Sequence, residues 1–242
     1  MMPKSTIYFV NSINGNDENA GLSENTAFKS LKMINNLSLL PGDKVMLAKG
    51  SVFENEFLHI KNCGDINGDL IEITSYGDGD LPKINANGNG IWHQDYGTEL
   101  DFKGHRYKGD VSSAILLYDV ENILISDIEI TNKEEFTDLE SYCAPDKMDR
   151  TGVAAVAKNR GTLHSITLKN LFIHDVNGNV YNKHMNNGGI YMTAFKPNNE
   201  AKTGVARYDG VAVEDCFVKN VSRWGIAVGY SYRHKDFATK EL

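Results

Sequence analysis

The stretch Ile123-Leu-Ile-Ser-Asp-Ile-Glu-Ile-Thr-Asn132 recurs in outline as Ile166-Thr-Leu-Lys-Asn-Leu-Phe-Ile-His-Asp175 and as Val211-Ala-Val-Glu-Asp-Cys-Phe-Val-Lys-Asn220. Apolar side chains hold the first, third, sixth and eighth places, and Asp or Asn holds the fifth and tenth. The fifth places, Asp127, Asn170 and Asp215, lie 43 and 45 residues apart. Such spacing, with loops of uneven length between copies, marks a stacked repeat.

Alternation of apolar and polar places makes each half of a copy a short strand with one buried face. Between the third and sixth places the alternation slips by one residue, which turns the second strand inside out unless the chain bends there. Asp and Asn tolerate the left-handed backbone region and hydrogen-bond their own main chain, so the fifth place supplies the bend. Each copy reads as strand, tight corner, strand, with both strands facing one interior.

A shorter apolar run precedes each copy, at Ala114 to Leu117, Gly152 to Val156 and Gly189 to Met192, and a fourth, Gly225 to Val228, follows the last. Three short strands cannot bury their inner face alone. Stacking equivalent strands at ~4.8 Å lets each pair with the one above and the one below. The expected fold is all-β, a β-solenoid of parallel sheets over residues 44–242. Residues 1–43 form an N-terminal strand and a cap of the same single domain. Phe28, Leu31, Ile34 and Leu37 recur at three-residue steps, predicting a short amphipathic capping helix over about Ala27 to Leu37, started by Ser23 or Thr26.

At 242 residues the chain is long enough for a substantial core. Twenty-two Gly against five Pro suit a chain that turns often without being disordered. The net charge of −7 argues against a nucleic-acid partner, and an anionic polymer would need a local basic cluster or a metal ion. Cys63, Cys143 and Cys216 are odd in number and far apart, so neither a disulfide framework nor a zinc site is indicated. No apolar run approaches membrane-spanning length, and the segment before Ile7 is too short for a signal peptide.

Tyr8-Phe-Val-Asn-Ser12, Gly15-Asn-Asp17, Ala27-Phe-Lys-Ser-Leu31, Pro41-Gly-Asp-Lys-Val45 and Ile73-Thr-Ser-Tyr-Gly77 resemble the opening of right-handed parallel β-helix proteins of the pectate-lyase-like kind. These carbohydrate-active proteins include polysaccharide lyases and glycoside hydrolases. The resemblance runs through the later repeats and implies a right-handed parallel β-helix, a secreted or cell-surface setting, and a glycan lying along a groove. It also implies further turns beyond Leu242, so the C-terminal end is expected to be incomplete and its exposed strands to self-associate or to meet a partner subunit.

Aligning the shorter runs on their glycines puts Ala154, Tyr191 and Ala227, then Val156, Thr193 and Gly229, on the outer face. A floor of small residues beside long polar excursions describes a groove. Tyr191 and Trp224 suit the apolar C–H faces of sugar rings. Glycoside hydrolysis calls for two carboxyl groups ~5–9.5 Å apart, which Asp146 and Asp149 offer just before the Gly152 run. Elimination beside a uronate calls for a base and a positive group, for which His184, Arg150 and Arg207 are candidates. No spacing spells a calcium loop, although acidic side chains could hold that ion. The expected activity is cleavage of a polysaccharide or oligosaccharide. Hydrolysis stands ahead of elimination because carboxylates outnumber basic groups near the groove. The competing readings are a non-catalytic glycan-binding or structural β-helix and an inactive fragment.

Overall fold

The computed structural model describes residues 5–100, 106–133, 147–180 and 184–234. Its first strands are β1 Ile7–Val10, β2 Lys44–Ala48, β3 Val52–Glu54, β4 Leu58–Lys61, β5 Ile71–Tyr76, β6 Lys83–Asn85, β7 Ile91–Asp95 and β8 Lys108–Tyr118. They are followed by β9 Ile123–Asn132, β10 Asp149–Ala157, β11 Thr162–Val176, β12 Gly188–Ala194, β13 Arg207–Glu214, β14 Phe217–Val221 and β15 Ile226–Ser231. Two short helices, α1 Leu31–Asn35 and α2 Glu200–Thr203, complete the described regular structure apart from a single 3-10 turn at Glu24–Thr26. The chain is all-β in character, and its sheets are parallel except where β7 pairs antiparallel with β8.

Successive passes of the chain add one strand to each of two sheets. The first sheet runs β1-β2-β5-β9-β11-β13, with β3, β6 and β14 pairing alongside, and the second runs β4-β8-β10-β12-β15. Register is kept from pass to pass. Leu58, Ile115, Val153, Ile190 and Ile226 form one inward column, and Ile60, Leu117, Ala155, Met192 and Val228 form the next. On the other sheet Ile123, Ile166 and Val211 share a column, as do Ile125, Leu168 and Val213. Up to β11 and β12 these residues make one continuous apolar core between the sheets.

The corners form as the repeat dictates. Asp127, Asn170 and Asp215 all have positive φ, at 59°, 48° and 52°. They stand in file: the Asn170 amide donates to Asp127 at 2.6 Å, and register places Lys169 beside Glu214. Burial pushes the Asp127 carboxyl up. The hydrogen bonds it accepts from Ser126, Asn170 and Thr74 outweigh that and hold it below its ordinary range. Asp175 and Asn220 bend in the same way at the tenth place. Asn132 does not; it is buried, and its amide donates to the carbonyl oxygens of Ser112 and Thr151 at 3.2 and 3.1 Å.

The cap is shorter than the periodicity suggests. Phe28 is extended and bridges to Val10, and the helix begins only at Leu31. Ser23 and Thr26 do not start it, because other acceptors take the first N–H groups. Asp17 accepts from Lys29 and Ser30 at 2.8 Å each, and Glu56 accepts from Leu31 at 2.6 Å. One helical turn suffices to bury Leu31 and Ile34 completely over the end of the core.

The outer face of the second sheet departs most from expectation. All nine residues of β10 are buried, so this strand is covered on both sides. Outside it lies a second apolar cluster in which Ala154, Val156 and Leu116 meet Trp92, Tyr96, Leu100, Met185 and Phe195. The small outward residues leave room for those rings, not for an open floor. Tyr96 and Phe195 meet edge-to-face at 4.8 Å.

Candidate functional site

The cover formed by β7 and the residues after it is pinned to the segment 184–188 by polar contacts. Gln94 donates to the His184 carbonyl oxygen at 3.1 Å and accepts from the Asn186 N–H at 2.9 Å. The Tyr96 hydroxyl donates to the same His184 carbonyl at 3.0 Å. Over β15 the outer face is open, whereas all of β12 remains buried.

The opening is a cleft of about 570 Å³ lined by Tyr191, Trp224, Ile226, Ala227, Val228, Gly229, Tyr230, Ser231 and His234. The Tyr191 ring leaves its strand toward β15 and lies over Gly229, where any Cβ would overlap it. Burial raises the Tyr191 hydroxyl far above its ordinary value, with Tyr230 adding to the effect. Trp224 is 38% exposed, and the Arg223 guanidinium sits 5.2 Å from its ring centre. Arg223 is held in turn by the Val180 carbonyl oxygen at 2.5 Å. Tyr230 meets His184 edge-to-face at 4.3 Å and His234 at 4.7 Å. The wall is therefore aromatic, braced from behind, and open on one side.

Behind it lies a buried polar group. Asp149 is wholly buried, with Asn187 donating to it at 3.2 Å and the Arg106 guanidinium 3.6 Å away. Ser222 donates to the other side of Asn187 at 2.7 Å. His184 is also wholly buried. Asp149 and His184 thus lie behind the aromatic wall and are screened from solvent.

Tyr191 and Trp224, read from the sequence as sugar-facing, both line the cleft, but Trp224 is exposed there while Tyr191 is buried at 1% exposure and forms its base. Arg150 is buried elsewhere, its guanidinium donating to the Lys133 carbonyl oxygen at 2.9 Å and filling the space beside Gly88. Arg207 lies on β13 in the first sheet, where it donates to Thr162 at 2.9 Å, and does not reach the cleft. Asp146 falls outside the described residues. Tyr230 and His234 were missed; Tyr230 is the residue after outward Gly229, and the alternation alone marks it as inward. Among the described residues no group of His, Cys, Asp and Glu is arranged to hold a metal ion. No described helix is long and apolar enough to cross a membrane.

No family model matches the chain. Lacto-N-biosidase of Bifidobacterium longum subsp. longum is 43% identical over 256 residues, which cover 93% of this chain and 16% of the relative. Two solved structures of the GH136 lacto-N-biosidase from Eubacterium ramulus, the selenomethionine derivative and the native protein, superpose with TM-scores of 0.92 and 0.91. Each is 57% identical and matches 98% of this chain but 38% of its own. The chain thus spans well under half the length of either relative.

Proposed function

We propose that this chain is part of a glycoside hydrolase of the lacto-N-biosidase kind, folded as a right-handed parallel β-helix, and that its Tyr191–Trp224–Tyr230 cleft contacts the oligosaccharide. The parallel strands stacked in register support the fold, and the resemblance to solved lacto-N-biosidase structures over nearly the whole chain supports hydrolysis over elimination. The aromatic wall carries the placement of the sugar. The exposed Trp224 ring and the half-buried Tyr230 ring offer apolar surface to C–H faces, and Ser231 and His234 add polar groups to the lining.

In this reading Asp149 acts through its neighbours. Its carboxylate fixes Asn187 and Arg106 behind the wall, and buried as it is, it touches no sugar directly. Hydrolysis requires an acid and a second carboxylate set ~5–9.5 Å apart across the scissile bond. Asp146 remains our candidate for one of them, and His184 for a group that orients the Tyr230 ring.

The experiment is titration of an oligosaccharide ending in lacto-N-biose against the wild-type chain and Trp224→Ala, with products weighed by mass spectrometry. Affinity lost about ten-fold or more in the variant supports the cleft; equal affinity overturns it. Products heavier by one water identify hydrolysis, and unsaturated products exclude it. A second reading is favoured by the last pass of the chain, where inward Ile226 and Val228 are 54% and 87% exposed. There the chain supplies one wall of the site, and turnover requires further polypeptide over β13–β15. Binding without turnover distinguishes it.

A further inference from the structure

At the opposite end of the second sheet lies a larger groove, about 890 Å³, between α1 and β4. The strand order puts β4 and β15 at the two edges of that sheet, about 19 Å apart at the usual strand spacing. The groove is therefore separate from the aromatic cleft. Its size falls within the range of small-ligand sites.

The groove is a built feature. In a parallel ladder alternate residues turn their backbone groups to opposite sides. Asn62 donates to Tyr118 at 2.9 Å, so residues 58, 60 and 62 face β8, and 57, 59 and 61 face the sheet edge. The Asn35 side chain covers that edge as a missing strand would. It donates to the Phe57 carbonyl oxygen at 2.9 Å and accepts from the His59 N–H at 2.7 Å. Glu56 locks the other side of the helix by accepting the Leu31 N–H at 2.6 Å.

What these ties leave facing the groove is a platform of two rings with polar groups around it. Phe57 and His59 lie 4.5 Å apart, tilted by 51°. His59 Nε2 faces the Ser113 carbonyl oxygen at 3.0 Å, which requires the proton there and leaves Nδ1 as an acceptor. Burial keeps this ring uncharged down to about pH 4. Among the described residues the side chains of Asn36, Ser38 and Asn62 make no hydrogen bond, and all three are exposed. Lys32, Lys61 and Glu56 also line the groove, so its net charge is small.

We propose that this groove is a second, non-catalytic saccharide site that takes a short neutral oligosaccharide, one ring resting on Phe57 and its hydroxyls meeting Asn36, Ser38 and Asn62. The chemistry selects that class. An apolar ring face bordered by neutral amides and hydroxyls matches a sugar, which has apolar C–H faces and hydroxyls at its edge. An extended peptide would need the strand-edge groups that Asn35 already occupies. A nucleic acid would need more than two lysines on a chain of net charge −7. The proposal does not depend on hydrolysis, since the groove shares no residue with the cleft.

The test is amide chemical-shift mapping of the full chain with neutral di- to tetrasaccharides of galactose, glucose and N-acetylglucosamine. The expected result is shifts in residues 36–38 and 57–62, with affinity there falling about ten-fold in Phe57→Ala. Ser38→Trp fills the groove from an exposed position and should abolish those shifts while leaving the fold untouched. Trp224→Ala should leave them unchanged, so failure of the cleft is read separately. Shifts confined to residues 224–234, no shift at about 10 mM saccharide, or binding by an unstructured peptide that survives Ser38→Trp would overturn the proposal.

Discussion

Gly229 shows how one missing side chain shapes the cleft. The Tyr191 ring occupies the space where a Cβ would stand, so Gly229→Ala must displace that ring from the base of the cleft. The expected outcome is a several-fold loss of oligosaccharide affinity by titration, with the circular dichroism spectrum unchanged, because β15 keeps its pairing with β12. Titration of His59 belongs to the same scale. Burial pushes its pKa from 6.5 down to about 4, against the bond to Ser113, which favours the charged ring. The folded chain therefore takes up this proton less readily than the unfolded one. Its contribution to stability is whole above 6.5 and is lost as pH falls from there toward 4, by at most about 3 kcal/mol. His59→Gln keeps a donor for the Ser113 carbonyl and gains no proton. The stability of the wild type relative to this variant, from urea unfolding, should decline across that window and be level above it. A level difference throughout would refute the assignment.

At the scale of elements, the corner decides whether two strands face one core. Asn170 holds φ at 48° and donates to Asp127 at 2.6 Å. Asn170→Ala should lose about 2–3 kcal/mol, from the left-handed backbone and the bond together, whereas Asn170→Gly should lose only the bond's share, about 1 kcal/mol. Equal losses in thermal unfolding would show that backbone conformation is not the issue. These corners were legible because a period of two with a one-residue slip has one structural solution. The cap was legible in its apolar residues but not its length, since Asp17 and Glu56 decide where the helix starts through contacts distant in sequence. The outer cover was not legible. Trp92, Tyr96, Leu100 and Phe195 sit in excursions without a period, and only the fold brings them onto Ala154 and Val156. The burial of Asp149 and His184 was not legible for a related reason: they sit in irregular polar stretches, and only the fold covers them. Arg207 was a candidate for its charge, and no local signal shows that the chain has by then crossed to the first sheet.

At the scale of the whole molecule, the two ends of the stack are finished differently. At the first end α1 and β1 bury Leu31, Ile34 and Val10 completely. At the last described pass the inward column loses its cover: Ile190 and Met192 are 0% and 3% exposed, while Ile226 and Val228, one strand on, are 54% and 87%. Val211 and Phe217 add exposed apolar surface on the other sheet. Covering such a side chain from full exposure releases about 1.5–3 kcal/mol, so Val228 gains most and Val211 least, and the outer edges of β13, β14 and β15 carry backbone groups ready to pair. We therefore expect the chain to self-associate through this face. Sedimentation velocity should show mass rising with concentration, and Val228→Lys should return the protein to a monomer. The same substitution should barely move the melting temperature measured at low concentration, because a side chain 87% exposed has little packing to lose. A wild-type chain that sediments as a monomer at every concentration would refute self-association, and a variant that still assembles would move the contact elsewhere on the molecule.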